Sequence, residues 1–280
     1  MNHGVLCVMA YWRAIGRRRR LVEDFGETFK VVMQFTDEEA TYISQPTETL
    51  ARNEVLREIF DSRDDISIID AFACVGGDSI SFMHAFSKCK LHSVQRTETA
   101  DERNRYDRMC DNVGNAQKQV MYQGVIFHHY DCPIDVAFSR IKENVVGKVD
   151  LLFLDPPWYQ GERVLDATSM TWFLRKNVFQ PIIEADLMPE IICMKLSFSA
   201  VELRNSRHFM QLIDGYILHK SVPVYRGTKR IAYFFHIFRQ HRPTSLSSSA
   251  EPMRSKDLDE AFSNLTKAFI LKCDAHLFDS

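Results

Sequence analysis

The chain has 280 residues, 45% of them apolar and 26% charged, with a formal net charge of −2. Those shares are ordinary for a globular protein. The near-zero charge excludes a global attraction to nucleic acid or to an anionic membrane, so any polyanion contact must come from a local patch. No apolar run approaches the ~18 residues of a membrane span, so no membrane partner is expected.

Seven cysteines stand at 7, 74, 89, 110, 132, 193 and 273 without CxxC spacing. This favours reduced thiols in an intracellular compartment, nucleus or cytoplasm, over a disulfide framework, and no metal site is expected. The apolar Val5–Trp12 precedes the arginines, the reverse of a signal peptide's order. Arg13 and Arg17 to Arg20 then form a basic cluster. It reads as a solvated tail, a nuclear-import signal or an RNA phosphate contact. Residues 1–40 are therefore expected to form a basic extension.

A helix with Thr47 as N-cap and Leu50, Val55, Leu56 and Ile59 on one face enters the main domain. From residue 66, strands alternate with helices. Strands are expected over 66–72, 90–95, 124–130, 149–154 and 190–197, and helices over 79–87, 101–112, 134–145, 170–183 and 200–213. Two strands, 216–224 and 230–238, close the run as a hairpin around Gly227. The pattern predicts an α/β fold. It is a doubly wound Rossmann-like sheet of about seven strands, mostly parallel with a C-terminal antiparallel hairpin, over residues 41–240. A Ser- and Pro-rich linker at 241–256 leads to a C-terminal helix within 257–280, capped by Asp257 and Glu260.

Two stretches carry the chemistry. In Asp70-Ala71-Phe72-Ala73-Cys74-Val75-Gly76-Gly77-Asp78 an apolar strand enters a glycine turn before a helix. Glycine there permits φ > 0 and close backbone approach to a ligand. Asp70 lies within the strand, where a carboxylate needs a partner that a cationic ligand group supplies. The turn is no phosphate loop, since it lacks GK[ST] and Asp78 opens the helix. Leu151 to Leu154 form a buried strand that ends in Asp155-Pro156-Pro157-Trp158. The prolines stop the ladder and place a carboxylate, rigid carbonyls and an indole at a strand's carboxyl end, where open α/β sheets bind ligands. Glu98, just past the second strand, is the candidate for ribose hydroxyls, with Glu102 next. Asp131, at the end of the third strand, is the candidate for an adenine amino group.

Together these pieces resemble a class I S-adenosylmethionine-dependent methyltransferase over about residues 41–239. Asp70–Gly77 resembles that family's first motif, and Asp155–Trp158 resembles the DPPW motif of enzymes that methylate exocyclic amino nitrogens. Within the class, both motifs and Ser44–Glu48 are similar to the trimethylguanosine synthases, the RNA cap guanine-N2 methyltransferases. Three departures stand out. Cys74 replaces a glycine, Asp155 replaces a serine, and Tyr159-Gln160-Gly161 replaces the glycine pair after the tryptophan.

The resemblance implies S-adenosylmethionine as cofactor, held by Asp70, Phe72, Gly76, Gly77, Glu98, Asp131 and Asp155. It implies catalysis by Asp155, Pro156, Pro157 and Trp158. An exocyclic amine is a poor nucleophile. Acceptors at the Asp155 carboxylate and the Pro156 carbonyl would engage its N–H groups and expose its lone pair, while Trp158 stacks on the base. Capped RNA is the first partner and DNA the second. Cap guanine N2 is the first target and adenine N6 the runner-up, which Asp155 favours. Side-chain amide methylation in protein is disfavoured by Trp158. The contrasting class is a cofactor-binding but inactive RNA scaffold. Tyr225, Arg226, Lys229 and Arg230 form a basic-aromatic hairpin patch that either meets RNA phosphates or is solvated. Lys195 faces substrate or snorkels.

Overall fold

The computed structural model describes residues 18–145, 148–157, 166–226 and 230–241, with only the backbone for 159–160, 163–164, 226 and 230. The expected linker, the C-terminal helix with its Asp257/Glu260 cap, Cys7, Cys273 and Trp158 lie outside the described residues.

Seven strands form one sheet in the order β3-β2-β1-β4-β7-β9-β8. These are β1 (Ser67–Asp70), β2 (Lys90–Val94), β3 (Ile126–Tyr130), β4 (Leu151–Leu154), β7 (Ile191–Leu196), β8 (Tyr216–Arg226) and β9 (Arg230–Gln240). A small separate hairpin, β5 (Tyr159–Gln160) with β6 (Arg163–Val164), follows the Pro-Pro pair. The first five strands of the sheet run parallel, and β9 lies antiparallel between β7 and β8. The expected doubly wound α/β sheet with a closing hairpin is thus present.

Side chains of the central strands alternate between two cores, as the period of two requires. Ile68, Leu151, Phe153, Ile191 and Cys193 enter one core; Ile69, Leu152, Leu154, Ile192 and Met194 enter the other. The first core packs against α2 (Pro46–Ile59), α3 (Gly77–Ala85) and α4 (Ala100–Gln117). The second packs against α5 (Ile134–Asn144), α6 (Ala167–Leu174), α7 (Gln180–Glu184) and α9 (Arg207–Leu212). Strand order reverses between β1 and β4, so their carboxyl ends frame a crevice.

From residue 18 onward the basic stretch is helical and packs one face on the domain, while Arg18, Arg19 and Arg20 themselves stay exposed. Residues 18–29 form a helix, α1, and its Leu21, Phe25 and Phe29 recur every four residues with no solvent exposure. After it, Val31, Met33 and Phe35 are buried on alternate positions with no strand paired to them among the described residues. Asn112 of α4 takes the strand's place. Its Oδ1 accepts from the Gln34 N–H at 2.7 Å, and its Nδ2 donates to the Gln34 carbonyl at 2.8 Å and to the Val75 carbonyl at 2.9 Å. One buried amide therefore sews the N-terminal segment to the glycine turn. Asn112→Ala is expected to strand three backbone groups and lower unfolding free energy by about 3 kcal/mol, read by urea denaturation.

Helix ends correct several expectations. Thr47 is not the cap of α2. Pro46 opens the helix, and the Glu48 carboxylate accepts from the Gln45 N–H at 2.7 Å. The expected single helix over 200–213 breaks at Ser206 into α8 (Ala200–Asn205) and α9, with the Ser206 hydroxyl accepting from the Phe209 N–H at 3.3 Å. The helix expected over 170–183 begins earlier, where Asp166 accepts from the Ser169 N–H at 2.7 Å. It then widens into a π-turn over Arg175–Phe179 before α7. Pro181 explains the widening, because it has no N–H and its ring clashes with the carbonyl four residues before it.

Candidate functional site

A cavity of about 760 Å³ opens at the carboxyl ends of β1, β2 and β4. The loop after β1 supplies Ala71 to Val75 and Gly77, the loop after β2 supplies Glu98, and the end of β4 supplies Asp155, Pro156 and Pro157. Tyr42 and Ile43 line it from the segment before α2, and Phe173 and Asn177 line it from α6 and the π-turn. The rings of Phe72 and Phe173 lie 6.0 Å apart. Five carboxylates (Asp78, Glu98, Glu102, Asp135 and Asp155) face three cations (Arg96, Arg105 and Lys195) across this wall. That balance suits a ligand bearing positive charge.

The backbone of the glycine turn follows from its residues. Gly76 has φ +88°, and a Cβ there would lie 3.0 Å from Val113 Cγ2. Gly77 leaves room for a neighbouring segment of the protein as well as for a ligand, since its missing Cβ would lie 3.2 Å from Ile43 and 3.5 Å from Phe25. Cys74 adopts φ +51°, the left-handed region that glycine enters without strain, and it faces the cavity. Burial pushes its thiol up to about 12, so the sulfur is neutral and no nucleophile near pH 7.

Asp155 projects into the same layer as Asp70 and Lys195. Its Oδ2 meets Lys195 Nζ at 2.5 Å. Lys195 is fixed further by the Tyr42 carbonyl at 3.3 Å and by the face of Tyr233 at 4.9 Å. The Tyr233 hydroxyl in turn donates to Glu48 at the head of α2. Burial raises the Asp155 carboxyl above the ordinary carboxylate range, and the Lys195 ammonium opposes that rise. Among the described residues, Oδ1 makes no hydrogen bond and remains an acceptor. Behind the cavity, Arg52 is fully buried and pairs with Asp78 Oδ1 at 2.5 Å, its guanidinium stacked over Phe82, Phe153 and Phe235 at 4.1, 4.7 and 5.2 Å.

Of the expected site residues, the structure brings Phe72, Gly77, Glu98, Asp155, Pro156 and Pro157 to one cavity wall. Trp158 lies outside the described residues. Asp70 and Gly76 do not line the wall. Asp70 is fully buried: the Ser79 hydroxyl donates to its Oδ2 at 2.6 Å and is linked to Ser93 at 2.8 Å, while its Oδ1 has no hydrogen-bond partner among the described residues. Burial, reinforced by the charge of Asp78, pushes the Asp70 carboxyl up to about 7, although the Ser79 bond holds it back. Asp131 is turned away as well, paired with Arg103 at 3.3 Å and Arg140 at 3.8 Å, while the next residues of its loop, Cys132 to Asp135, line the cavity. Glu98 stays half-exposed, 3.4 Å from Arg96. Glu102 is held by Arg96 at 2.6 Å and caps α4 through Thr99. On the hairpin, Tyr225 is exposed, but the side chains of Arg226, Lys229 and Arg230 lie outside the described residues.

Sequence reasoning missed Arg52 and Tyr42. It weighed Lys195 as substrate-facing or snorkelling; the side chain lines the cavity, and its ammonium is buried against Asp155. The signal for Arg52 was its spacing: Thr49, Arg52, Asn53 and Leu56 share one buried helix face.

The sequence matches no family model and no curated protein. Solved structures do match its fold. A human methyltransferase 10 domain containing protein superposes with a TM-score of 0.56 at 8% identity, covering 81% of this chain and 97% of its own. The delta-N METTL16 MTase domain gives 0.57 at 8% identity, covering 82% and 97%. A methyltransferase from Pyrococcus furiosus gives 0.50 at 14% identity, covering 80% and 96%. These likenesses are of fold, and the fold is the Rossmann-like one of those methyltransferases.

Proposed function

We propose that this chain is an intracellular S-adenosylmethionine-dependent N-methyltransferase acting on an exocyclic amino group of a nucleobase in RNA, with N2 of a 7-methylguanosine cap as its first target. One observation carries the reading: Asp155, Pro156 and Pro157 share a single acid-lined cavity with the glycine turn and Glu98 at the point where strand order reverses.

The residues present fit the cofactor. The half-exposed Glu98 would meet the ribose hydroxyls, the backbone of Ala73 to Val75 and of Gly77 would approach the cofactor, and the carboxylate excess would suit a sulfonium. Bound there, S-adenosylmethionine supplies an electrophilic methyl group. The protein's work is positioning. Lys195 holds one oxygen of Asp155, so the other is aimed and free to accept an N–H of the target amine. The Pro156 carbonyl is the second acceptor, in a backbone stretch where proline removes the competing donor. Trp158, next in the chain, is the stacking platform, worth about 1–3 kcal/mol per base. Asp155 is also the group that takes up the proton released when the methylated nitrogen returns to neutrality.

Adenine N6 is the second reading, favoured by a carboxylate rather than a serine before the Pro-Pro pair. The inactive-scaffold reading is disfavoured by an intact Asp-Pro-Pro at the cavity wall. Calorimetric titration of the folded chain with S-adenosylmethionine is expected to show one site per chain. No heat and no thermal stabilisation by the cofactor would remove the enzyme and the scaffold readings together.

A further inference from the structure

We infer that the exposed face of α6 and the π-turn that follows it is the track for the single-stranded RNA flanking the target base, an inference that rests on the RNA reading above. Thr168, Trp172, Arg175 and Lys176 are all exposed. Thr168 and Trp172 share a sector of α6 at i and i+4, and Arg175 and Lys176 follow at i+7 and i+8, where the helix widens into the π-turn. Trp172 is 68% exposed, the largest apolar side chain so open among the described residues. An indole left in water on a helix that buries Met170, Leu174 and Val178 on its other side is not serving the core. Arg175 and Lys176 follow it one turn on, with no ion-pair partner among the described residues, in contrast to Arg96, Arg103, Arg105, Arg108 and Arg140, which are all paired. The nearest acid further along this stretch, Glu184, accepts from Gln180 at 3.0 Å.

Continuity with the site selects the occupant. Phe173 and Asn177, one position on from Trp172 and Lys176, line the cavity. The sector that lines the cavity therefore borders the exposed one. The π-turn begins at Arg175, so the local widening re-aims the two cations relative to the indole. A flat π-face followed one turn on by two cations without an ion-pair partner among the described residues, at the lip of a cavity read as a base pocket, matches a strand with bases to stack and phosphates to neutralise. A protein partner would use the indole and leave the two charges unanswered.

The test uses the full chain and a fluorescein-labelled 12-nucleotide single-stranded RNA, read by anisotropy over a salt series, without cofactor or turnover. Trp172→Ala is expected to weaken binding about tenfold with an unchanged salt dependence. The double variant R175A/K176A is expected to weaken binding and to reduce the slope of log affinity against log salt by about 1.4, two phosphates at about 0.7 each. All three residues are exposed, and a thermal melt confirms that the variants fold. Affinity and slope within twofold of the unaltered chain in both variants, or no RNA binding by the unaltered chain, would overturn the inference. Because no methyl transfer is read, a failed methyltransferase reading shows separately, as loss of cofactor binding. Conversely, normal transfer to a mononucleotide by variants that bind RNA unchanged would sink only the track and leave the indole to a protein partner.

Discussion

Asp155→Ala is expected to lower the methyl-transfer rate by two to three orders of magnitude, by removing the acceptor aimed at the amine. It should also destabilise the fold. Lys195 is buried and its ammonium meets Asp155 at 2.5 Å, so the alanine leaves a charge without its counterion, at about 3–5 kcal/mol. The two effects separate in a double variant. D155A/K195M removes both charges and should regain most of the lost stability while staying inactive. Asp155→Asn keeps a carbonyl acceptor and should retain part of the rate. The pH profile gives an independent check. Because the folded site raises the Asp155 carboxyl above its ordinary range and the acceptor must be ionised, kcat should climb with pH on the acid side, with a midpoint above that of an ordinary carboxylate. Full activity of D155A/K195M would end the assignment of Asp155 to catalysis.

Arg52→Ala should destabilise the fold as strongly as Asp155→Ala. Arg52 is wholly buried, paired with Asp78 at 2.5 Å, bonded to Asn53 at 3.0 Å and stacked on three phenylalanine rings. Its charge also holds down the carboxyls of Asp70 and Asp155, which Asp78 raises. Removing it leaves three clustered acids without their deepest cation, and a cavity where the guanidinium stacked. The expected loss is about 3–5 kcal/mol, which for a domain of this size corresponds to a melting point on the order of 10 °C lower. Lysine should not rescue, because an ammonium cannot stack as a planar fork. R52M/D78N should recover part of the loss by removing the stranded acid. A melting point for Arg52→Ala within 2 or 3 °C of the unaltered chain, taken as a rough bound, would mean the pair contributes little.

What was legible in the sequence and what was not divides along a physical line. Strands buried on both faces read as continuous apolar runs, so Leu151 to Leu154 and Ile191 to Met194 were visible, and their order implied the sheet. The two strand-end motifs were visible because glycine and proline leave few alternatives. Helix α1 was hidden by its arginines, which drew attention from Leu21, Phe25 and Phe29 on the buried side. Asp70 and Asp131 illustrate a different limit. Asp131 follows β3 as expected, whereas Asp70 closes β1 instead of lying inside it; Ser79 takes one oxygen of Asp70, Arg103 with Arg140 pair with Asp131, and side-chain partners from elsewhere in the fold have no local signature. The Lys195–Asp155 pair spans 40 residues and two neighbouring strands, so only the register of β4 beside β7 brings it together.

The central claim is transfer of a methyl group from S-adenosylmethionine to a nucleobase amine. The measurement that tests it most directly incubates the chain with labelled S-adenosylmethionine and four substrates in parallel: 7-methylguanosine cap dinucleotide, unmethylated cap dinucleotide, adenine-containing RNA and adenine-containing DNA. Label on the 7-methylated cap alone is the predicted result, and it gives Trp158 a cationic base to stack on. Label on adenine would contradict the cap target and move the chemistry to N6. Label on none of the four, with the cofactor still bound, would contradict nucleobase methylation itself.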